Sequence, residues 1–267
     1  MAEQISGKFP VVIGREFTPH LANTIFNLLD KQELMKSRLV SSVWKEVVDS
    51  RTNLWTDPEL YGKAAKEGNL NLCQMIVENV DNKNPSFRKL GPHSWSCYVT
   101  PLHIAAKEGH VQICQLILDH LEDKNPRNDY GITPLHFAVT AHSGTEVYRL
   151  IMNEVDDKNP RDSGGYTPLY AAAMRGNFEV SKLILENVEE KNPATTGDRS
   201  TPLHEAARYG YIDIFCIIFE KVEDKNPPDS QGNTPLHFAA SKNFLNDRVT
   251  RQSYVEMCRL ILRRQCR

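Results

Sequence analysis

The sequence repeats itself every 33 or 34 residues, and this period constrains the fold more than any other feature. The tetrapeptide Thr-Pro-Leu-His, or once Thr-Pro-Leu-Tyr, begins at Thr100, Thr133, Thr167, Thr201 and Thr234, with spacings of 33, 34, 34 and 33 residues. A second marker, Lys-Asn-Pro, recurs in phase with the first and begins at Lys83, Lys124, Lys158, Lys191 and Lys225. A fixed period of this length is typical of solenoids, in which each repeat packs only against its neighbours.

Each repeat predicts two helices and an extended turn. Thr100 can cap a helix whose first turn accepts Pro101, since proline lacks only an N–H that has no partner there. Gly109 supplies a left-handed stop, and apolar residues at helical spacing from Val111 to Leu118 then predict a second helix. The segment 128–131 reads as a turn. A single repeat could not bury its own apolar stripe, so the repeats must stack.

These residues resemble the ankyrin repeat, whose pattern includes D-x-x-G-x-T-P-L-H-x-A-A-x-x-G. The resemblance implies an all-α fold, a solenoid of helix pairs with short β-turn fingers, over residues 57–267. We count about six repeats, of which the first and the last are degenerate. The glycine that usually follows the second helix is missing, and Arg199 stands where the finger of its repeat normally has glycine.

Two connections are longer than their equivalents in the other repeats. The first lies between Pro85 and Thr100 and is eight residues longer, and the second lies between Asn243 and Val255 and is ten residues longer. The first insertion carries the side chains that often dominate binding sites, namely Phe87, Arg88, His93, Trp95 and Tyr98. Two interpretations stay open: a recognition loop, or a loop folded onto the first repeat.

The chain in front of the repeats has a different apolar pattern, with three short helices predicted. Residues 17–56 resemble the F-box, and residues 1–16 form a tail before it. The Ile-Phe, Val-x-x-x-Trp and Leu-Trp elements of the F-box pattern stand in register, whereas Phe-Thr replaces its Leu-Pro, His20 replaces an acidic residue and Ser41 replaces a cysteine. The positions that the resemblance assigns to adaptor binding are Phe17, Pro19, Leu21, Ile25, Phe26, Leu34, Val40 and Trp44.

Together the two resemblances imply the substrate-receptor subunit of a Skp-cullin-F-box type ubiquitin ligase. The F-box would bind a Skp-type adaptor, and through it a cullin-RING ligase, while the repeats hold a target protein. The alternative is an ankyrin-repeat scaffold with no ligase link, in which residues 1–57 only cap the solenoid. A viral or bacterial effector that borrows a host ligase would use the same chemistry.

Nothing in the sequence predicts catalysis. There is no phosphate-binding glycine loop, no zinc-protease motif and no nucleophile elbow, so we expect no enzyme and no cofactor. Four histidines recur at one repeat position and are interpreted as structural rather than metal-ligating: His103, His136, His204 and His237. The six cysteines form no CxxC pair, and the formal net charge is −2. We therefore expect no metal, nucleic acid or membrane partner, and a location in the cytoplasm, the nucleus or both.

The ankyrin resemblance places the target-binding surface on the concave face, built from the finger tips and the first helices. The variable positions there are rich in basic and aromatic residues: Arg127, Tyr130, Phe137, Arg161, Tyr166, Met174, Arg175, Arg199, Arg208, Tyr209, Phe238 and Lys242, with Trp95 added from the insertion. The acidic pairs that end the second helices, such as Glu189-Glu190, are expected to lie away from this face. The sequence therefore predicts an acidic or phosphorylated partner segment.

Overall fold

The computed structural model describes residues 58–90, 96–141, 145–241 and 248–265. The eight predicted adaptor-binding residues lie outside the described residues, as do Trp95, His93 and Lys242. The boundaries predicted for the tail and the F-box-like region, 1–16 and 17–56, therefore stay predictions. The described residues form helix pairs and one short hairpin.

The described residues contain six pairs of consecutive helices, one pair for each predicted repeat. Their bounds are α1 Pro58–Glu67 and α2 Leu70–Asn79, α3 Pro101–Glu108 and α4 Val111–Leu118, α5 Pro134–Ala138 and α6 Glu146–Glu154, α7 Pro168–Arg175 and α8 Phe178–Asn187, α9 Pro202–Tyr209 and α10 Ile212–Lys221, α11 Pro235–Ser241 and α12 Arg248–Gln265. The first helices contact one another in sequence, and so do the second helices from α2 to α6 and from α8 to α12. Their buried apolar residues form one continuous core. The predicted all-α solenoid is confirmed.

The start and stop signals of the first helices act as the sequence predicts. Thr100 has extended backbone angles, φ −109° and ψ 163°, and forms a capping box with His103, while Pro101 begins α3. Gly109 ends this helix in the left-handed conformation with φ 85°, and its N–H donates to the Ala105 carbonyl. Where the finger of the fifth repeat lacks glycine, Arg199 itself adopts a positive φ of 56°, which costs free energy for a residue with a Cβ.

The Lys-Asn-Pro marker joins one repeat to the next. In the fourth repeat the Lys191 ammonium donates to the Leu185 carbonyl at 2.7 Å and also to the Val188 carbonyl. A lysine therefore satisfies the carbonyls at the end of α8, a helix that lacks the glycine that usually follows it in ankyrin repeats. The neighbouring Asn192 accepts from the Leu203 N–H at 3.0 Å and so caps the first helix of the following repeat. Equivalent lysine bonds are made by Lys83, Lys124, Lys158 and Lys225.

The first insertion folds as an antiparallel hairpin of β1 Phe87–Leu90 and β2 Ser96–Val99, with Phe87 paired to Val99. Gly62 in α1 stands at the repeat position of the histidines, and a Cβ there would lie 1.9 Å from Phe87 Cζ. The Phe87 ring therefore lies in the space next to the Gly62 backbone, where the other repeats carry a larger side chain. This contact favours the interpretation that the insertion folds onto the first repeat.

Within the described ranges, no helix is long and apolar enough to cross a membrane.

Candidate protein-binding surface

Three histidines of the repeated tetrapeptide bond to the neighbouring repeat. In the second repeat, His103 Nδ1 accepts from the Thr100 N–H at 3.2 Å and lies 2.8 Å from Thr100 Oγ1. Since Nδ1 accepts, Nε2 carries the proton and donates to the Ile132 carbonyl of the next finger at 3.1 Å. His136 and His204 make the same bond to the Tyr166 and Asn233 carbonyls.

Burial keeps these imidazoles neutral. His103 is fully buried, and burial lowers its pKa from the ordinary value of 6.5 to about 4. Burial also lowers the pKa values of His136 and His204. No group of three or more His, Cys, Asp or Glu side chains that could hold a metal ion occurs in the part of the chain that the structure describes. His103, His136 and His204 therefore serve as hydrogen-bonding groups between neighbouring repeats.

Two of the predicted binding arginines hold the fingers to one another. Arg127 Nη1 donates to the Arg161 carbonyl at 2.6 Å, and Arg161 Nη1 in turn donates to the Ala194 carbonyl at 2.6 Å. Arg161 Nη2 also forms a bidentate pair with the Glu190 carboxylate, at 3.0 and 2.9 Å. These guanidinium groups are exposed, but much of their hydrogen-bonding capacity is used within the array.

The Arg161 pair corrects one part of the charge prediction. Glu190, at the end of the second-helix segment, was expected to lie away from the basic face, yet its carboxylate contacts Arg161 directly. The expectation is wrong for this residue because the chain after the second helix turns back toward the fingers. The surface at Arg161 is therefore electrically neutral rather than positive.

Arg208 lies in a cluster that the sequence reasoning found only in part. Its Nε lies 3.2 Å from Glu205 Oε1, and its guanidinium carbon lies 4.4 Å from the centre of the Phe238 ring. Ser200 Oγ donates to the same Glu205 oxygen at 3.3 Å. The phenol of Tyr170 lies against Ser200 and Glu205; burial raises its pKa, and the charge of Glu205 raises it further. We call Tyr170, Ser200, Glu205, Arg208 and Phe238 the Arg208 cluster.

Two departures from the repeat pattern create this cluster. Tyr170 stands where four other repeats have histidine. Buried Glu205 stands at a position that is apolar in four other repeats and is Lys63 in the first. Sequence reasoning noted the tyrosine as a structural substitution and missed the glutamate. A comparison of equivalent repeat positions could have found it, since a carboxylate at a mostly apolar position signals a polar partner.

Two exposed tyrosines neighbour the Arg208 cluster, one through a ring contact and the other along the chain. Tyr166 is 43% exposed and packs edge-on against Tyr170, with 5.0 Å between ring centres. Tyr209 follows Arg208, is 47% exposed and stacks on Tyr211 at 6.1 Å. The structure thus brings Tyr166, Arg208 and Phe238 together through Tyr170 and Glu205. Tyrosine rings at a surface provide large contact area at a low cost in conformational entropy.

The other predicted residues are distributed along the array. Phe137 is half-buried and packs edge-on against His103 at 5.4 Å between ring centres. Tyr130 is exposed on its finger, and Met174 is half-buried at the end of α7. Arg175 and Arg199 are exposed. No hydrogen bond, ion pair or aromatic ring contact in the described residues joins these side chains to the Arg208 cluster.

A family model described as ankyrin repeats, in three copies, matches residues 62–162, 140–229 and 188–266. The chain belongs to the ankyrin-repeat family. A comparison with curated proteins finds no match. Ankyrin-repeat proteins generally act as scaffolds that bind other proteins, so this array has a role in protein–protein interaction. The matched residues begin at 62, and the comparisons therefore give no support to the F-box resemblance.

Proposed function

We propose that this ankyrin-repeat protein is the substrate receptor of a Skp-cullin-F-box type ubiquitin ligase, acting in the cytoplasm or the nucleus. The observation that carries the proposal is the register of Ile25-Phe26, Val40-x-x-x-Trp44 and Leu54-Trp55 with the F-box pattern, directly before a protein-binding array whose first helix begins at Pro58. The junction contains no Gly/Ser-rich linker, which favours a rigid connection. The chain would position a target and transfer nothing itself.

The adaptor half of the proposal is tested by capture of a purified Skp-type adaptor on the full chain. Changing Ile25 and Phe26 together to Ala should abolish capture, because the two adjacent large apolar side chains exceed what one packing face needs. A gain-of-binding variant guards against mere unfolding of this region. His20→Glu restores the acidic residue of the F-box pattern and should retain or strengthen capture. Unchanged capture by the Ile25 and Phe26 variant would refute the adaptor assignment.

A scaffold without a ligase link is the second candidate, because the described array alone already accounts for protein binding. Residues 1–57 would then only cap the solenoid. Failure of the wild-type chain and of His20→Glu to capture adaptor, together with retained capture of a target protein, would favour this scaffold.

The target half of the proposal is an acidic or phosphorylated segment bound along the face that carries Arg175, Arg208 and Tyr209. Replacing all three with Ala should weaken target binding by more than about 2 kcal/mol if they form a hot spot. Adaptor capture should remain unchanged, since these side chains lie far along the chain from residues 17–56. Target binding that is indifferent both to the triple change and to salt at roughly 0.5 M would refute this assignment.

A further inference from the structure

The Arg208 cluster has the geometry of a prepared recognition site. The Nε atom of Arg208 is buried 3.2 Å from the Glu205 carboxylate, in an ion pair where Nε makes no hydrogen bond, while the side chain as a whole is 37% exposed. Phe238 lies under one face of the guanidinium. Among the described residues, the two Nη atoms have no hydrogen-bond partner, unlike those of Arg127 and Arg161. The guanidinium therefore lies beside the Glu205 carboxylate and over the Phe238 ring, with its outer fork unused.

The cost of this arrangement argues against a purely structural role. Glu205 occupies a position that holds Ile104, Phe137, Ala171 or Phe238 in four other repeats and Lys63 in the first, and only Glu205 and Ile104 are buried there. Burying a carboxylate beside a guanidinium is often no more favourable than an apolar side chain of similar size. A leucine would fill the position at least as well. What the leucine would lack is a charge that orients Arg208.

We propose that the fork of Arg208 binds a single carboxylate, from an Asp or Glu side chain of an extended partner segment, with the exposed Tyr166 ring, which packs against Tyr170 of the cluster, contacting the same segment. Two parallel N–H···O bonds match the spacing of carboxylate oxygens. Glu205 already offsets one positive charge, so the cluster is electrically neutral and suits a singly charged group better than a phosphate. This inference deepens the target-binding half of the proposed function and does not depend on the ligase connection.

The test uses a display library of random 12-residue peptides, selected on the immobilised full chain and, in parallel, on Arg208→Gln. We expect peptides selected by the wild type to share one Asp or Glu position, and that position to be absent from peptides selected by the variant. Arg149→Gln is the matched control, since Arg149 is an exposed arginine on the second helix α6, and it should select the wild-type pattern. The absence of a shared acidic position, or the same acidic position on Arg208→Gln, would overturn the proposal.

One selected peptide, synthesised with a fluorescent label, then separates positioning from structure. Changing its acidic residue to the amide should weaken binding to the wild type about tenfold or more and should leave binding to Arg208→Gln unchanged. Glu205→Leu should lower the affinity for the peptide several-fold, because the orientation of Arg208 is lost. The urea unfolding midpoint of this variant should stay equal or rise, because a buried ion pair is replaced by an apolar side chain. Wild-type affinity in Glu205→Leu would show that the cluster is only structural and would overturn the proposal.

The same peptide tests the choice of carboxylate. Phosphoserine in place of the acidic residue should bind more weakly than the carboxylate peptide. Tighter binding would reassign the site to phosphate and overturn the charge argument. Adaptor capture by each variant is measured separately, so that failure of the ligase proposal is distinguishable from failure of this one.

Discussion

Protonation of His103 should lower the free energy of unfolding of the repeat array. The magnitude follows from the difference between its pKa in the folded and in the unfolded chain. The imidazole is fully buried, and its pKa falls from 6.5 in the unfolded chain to about 4 in the folded chain. The unfolded chain therefore binds more protons in this interval, so stability is complete above pH 6.5 and decreases as the pH falls toward 4. The full difference corresponds to about 3 kcal/mol. Between pH 7 and pH 5 the loss from this one group is about 2 kcal/mol.

Replacing His103 with Gln isolates that contribution. Glutamine at the third helical position also forms a capping box, so the backbone of Thr100 keeps its partner while the titrating group is removed. Urea unfolding at pH 7 and pH 5, followed by circular dichroism, should show a loss in His103→Gln that is smaller than the wild-type loss by about 2 kcal/mol. His120→Gln is the control, since His120 is exposed at the end of its helix and bonds the Leu116 carbonyl of its own segment.

Two results would contradict the predicted role of His103. Equal pH dependence in His103→Gln and the wild type, within about 0.5 kcal/mol, would show that His103 is not held neutral by its buried bond to the next finger. An equal reduction in the His120 control would show that the effect is general to histidine removal. Either result would refute the link between this hydrogen bond and the cohesion of neighbouring repeats.

Three further perturbations follow from the same contacts, each read as a shift in the urea unfolding midpoint. Phe87→Ala should lower the free energy of unfolding by about 2 kcal/mol, because it empties the space beside Gly62. Gly62→Ala should be strongly destabilising alone and only mildly destabilising in the Phe87→Ala background, and additive effects of the two changes would disprove the contact. Lys191→Met should cost about 1 kcal/mol by leaving the last carbonyls of α8 unsatisfied, and no change would remove lysine from that role. Gly210→Ala should lower the free energy of unfolding by about 2 kcal/mol, since the φ of Gly210 is 77° and a Cβ would lie 2.9 Å from Tyr254 Cζ. No change in the unfolding midpoint would contradict that packing.

The repeat markers were sufficient to predict the fold because they report local chemistry. Thr100, Pro101 and Gly109 act through their own backbone geometry, which the sequence alone specifies. The Lys-Asn-Pro marker was recognised in the sequence, but the hydrogen bonds that its side chains make were not predicted. Its lysine and asparagine bond groups three to eighteen residues away, so their role became visible only when the helix ends were placed in space.

The binding surface was harder to predict because contacts between repeats decide which side chains remain available. Arg127, Arg161 and Arg208 look alike in sequence, yet two of them bond the carbonyl of the next finger and the third is held by Glu205 and Phe238. Glu205 was missed because its significance depends on the mostly apolar residues at the equivalent position of other repeats. No residue type alone carries that information.

Partner recognition by this array depends on the polar groups that its own cohesion leaves unused. Finger carboxylates such as Asp162 and Asp229 accept backbone N–H bonds within their turns, and the histidines join one finger to the next. Arg161 is neutralised by Glu190. A count of arginines therefore overstates the positive charge offered to a ligand. Specificity should depend on a small number of fixed donors among exposed tyrosine rings, and for this reason a single substitution at Arg208 is expected to change the selected partner sequence, whereas a surface arginine such as Arg149 is not.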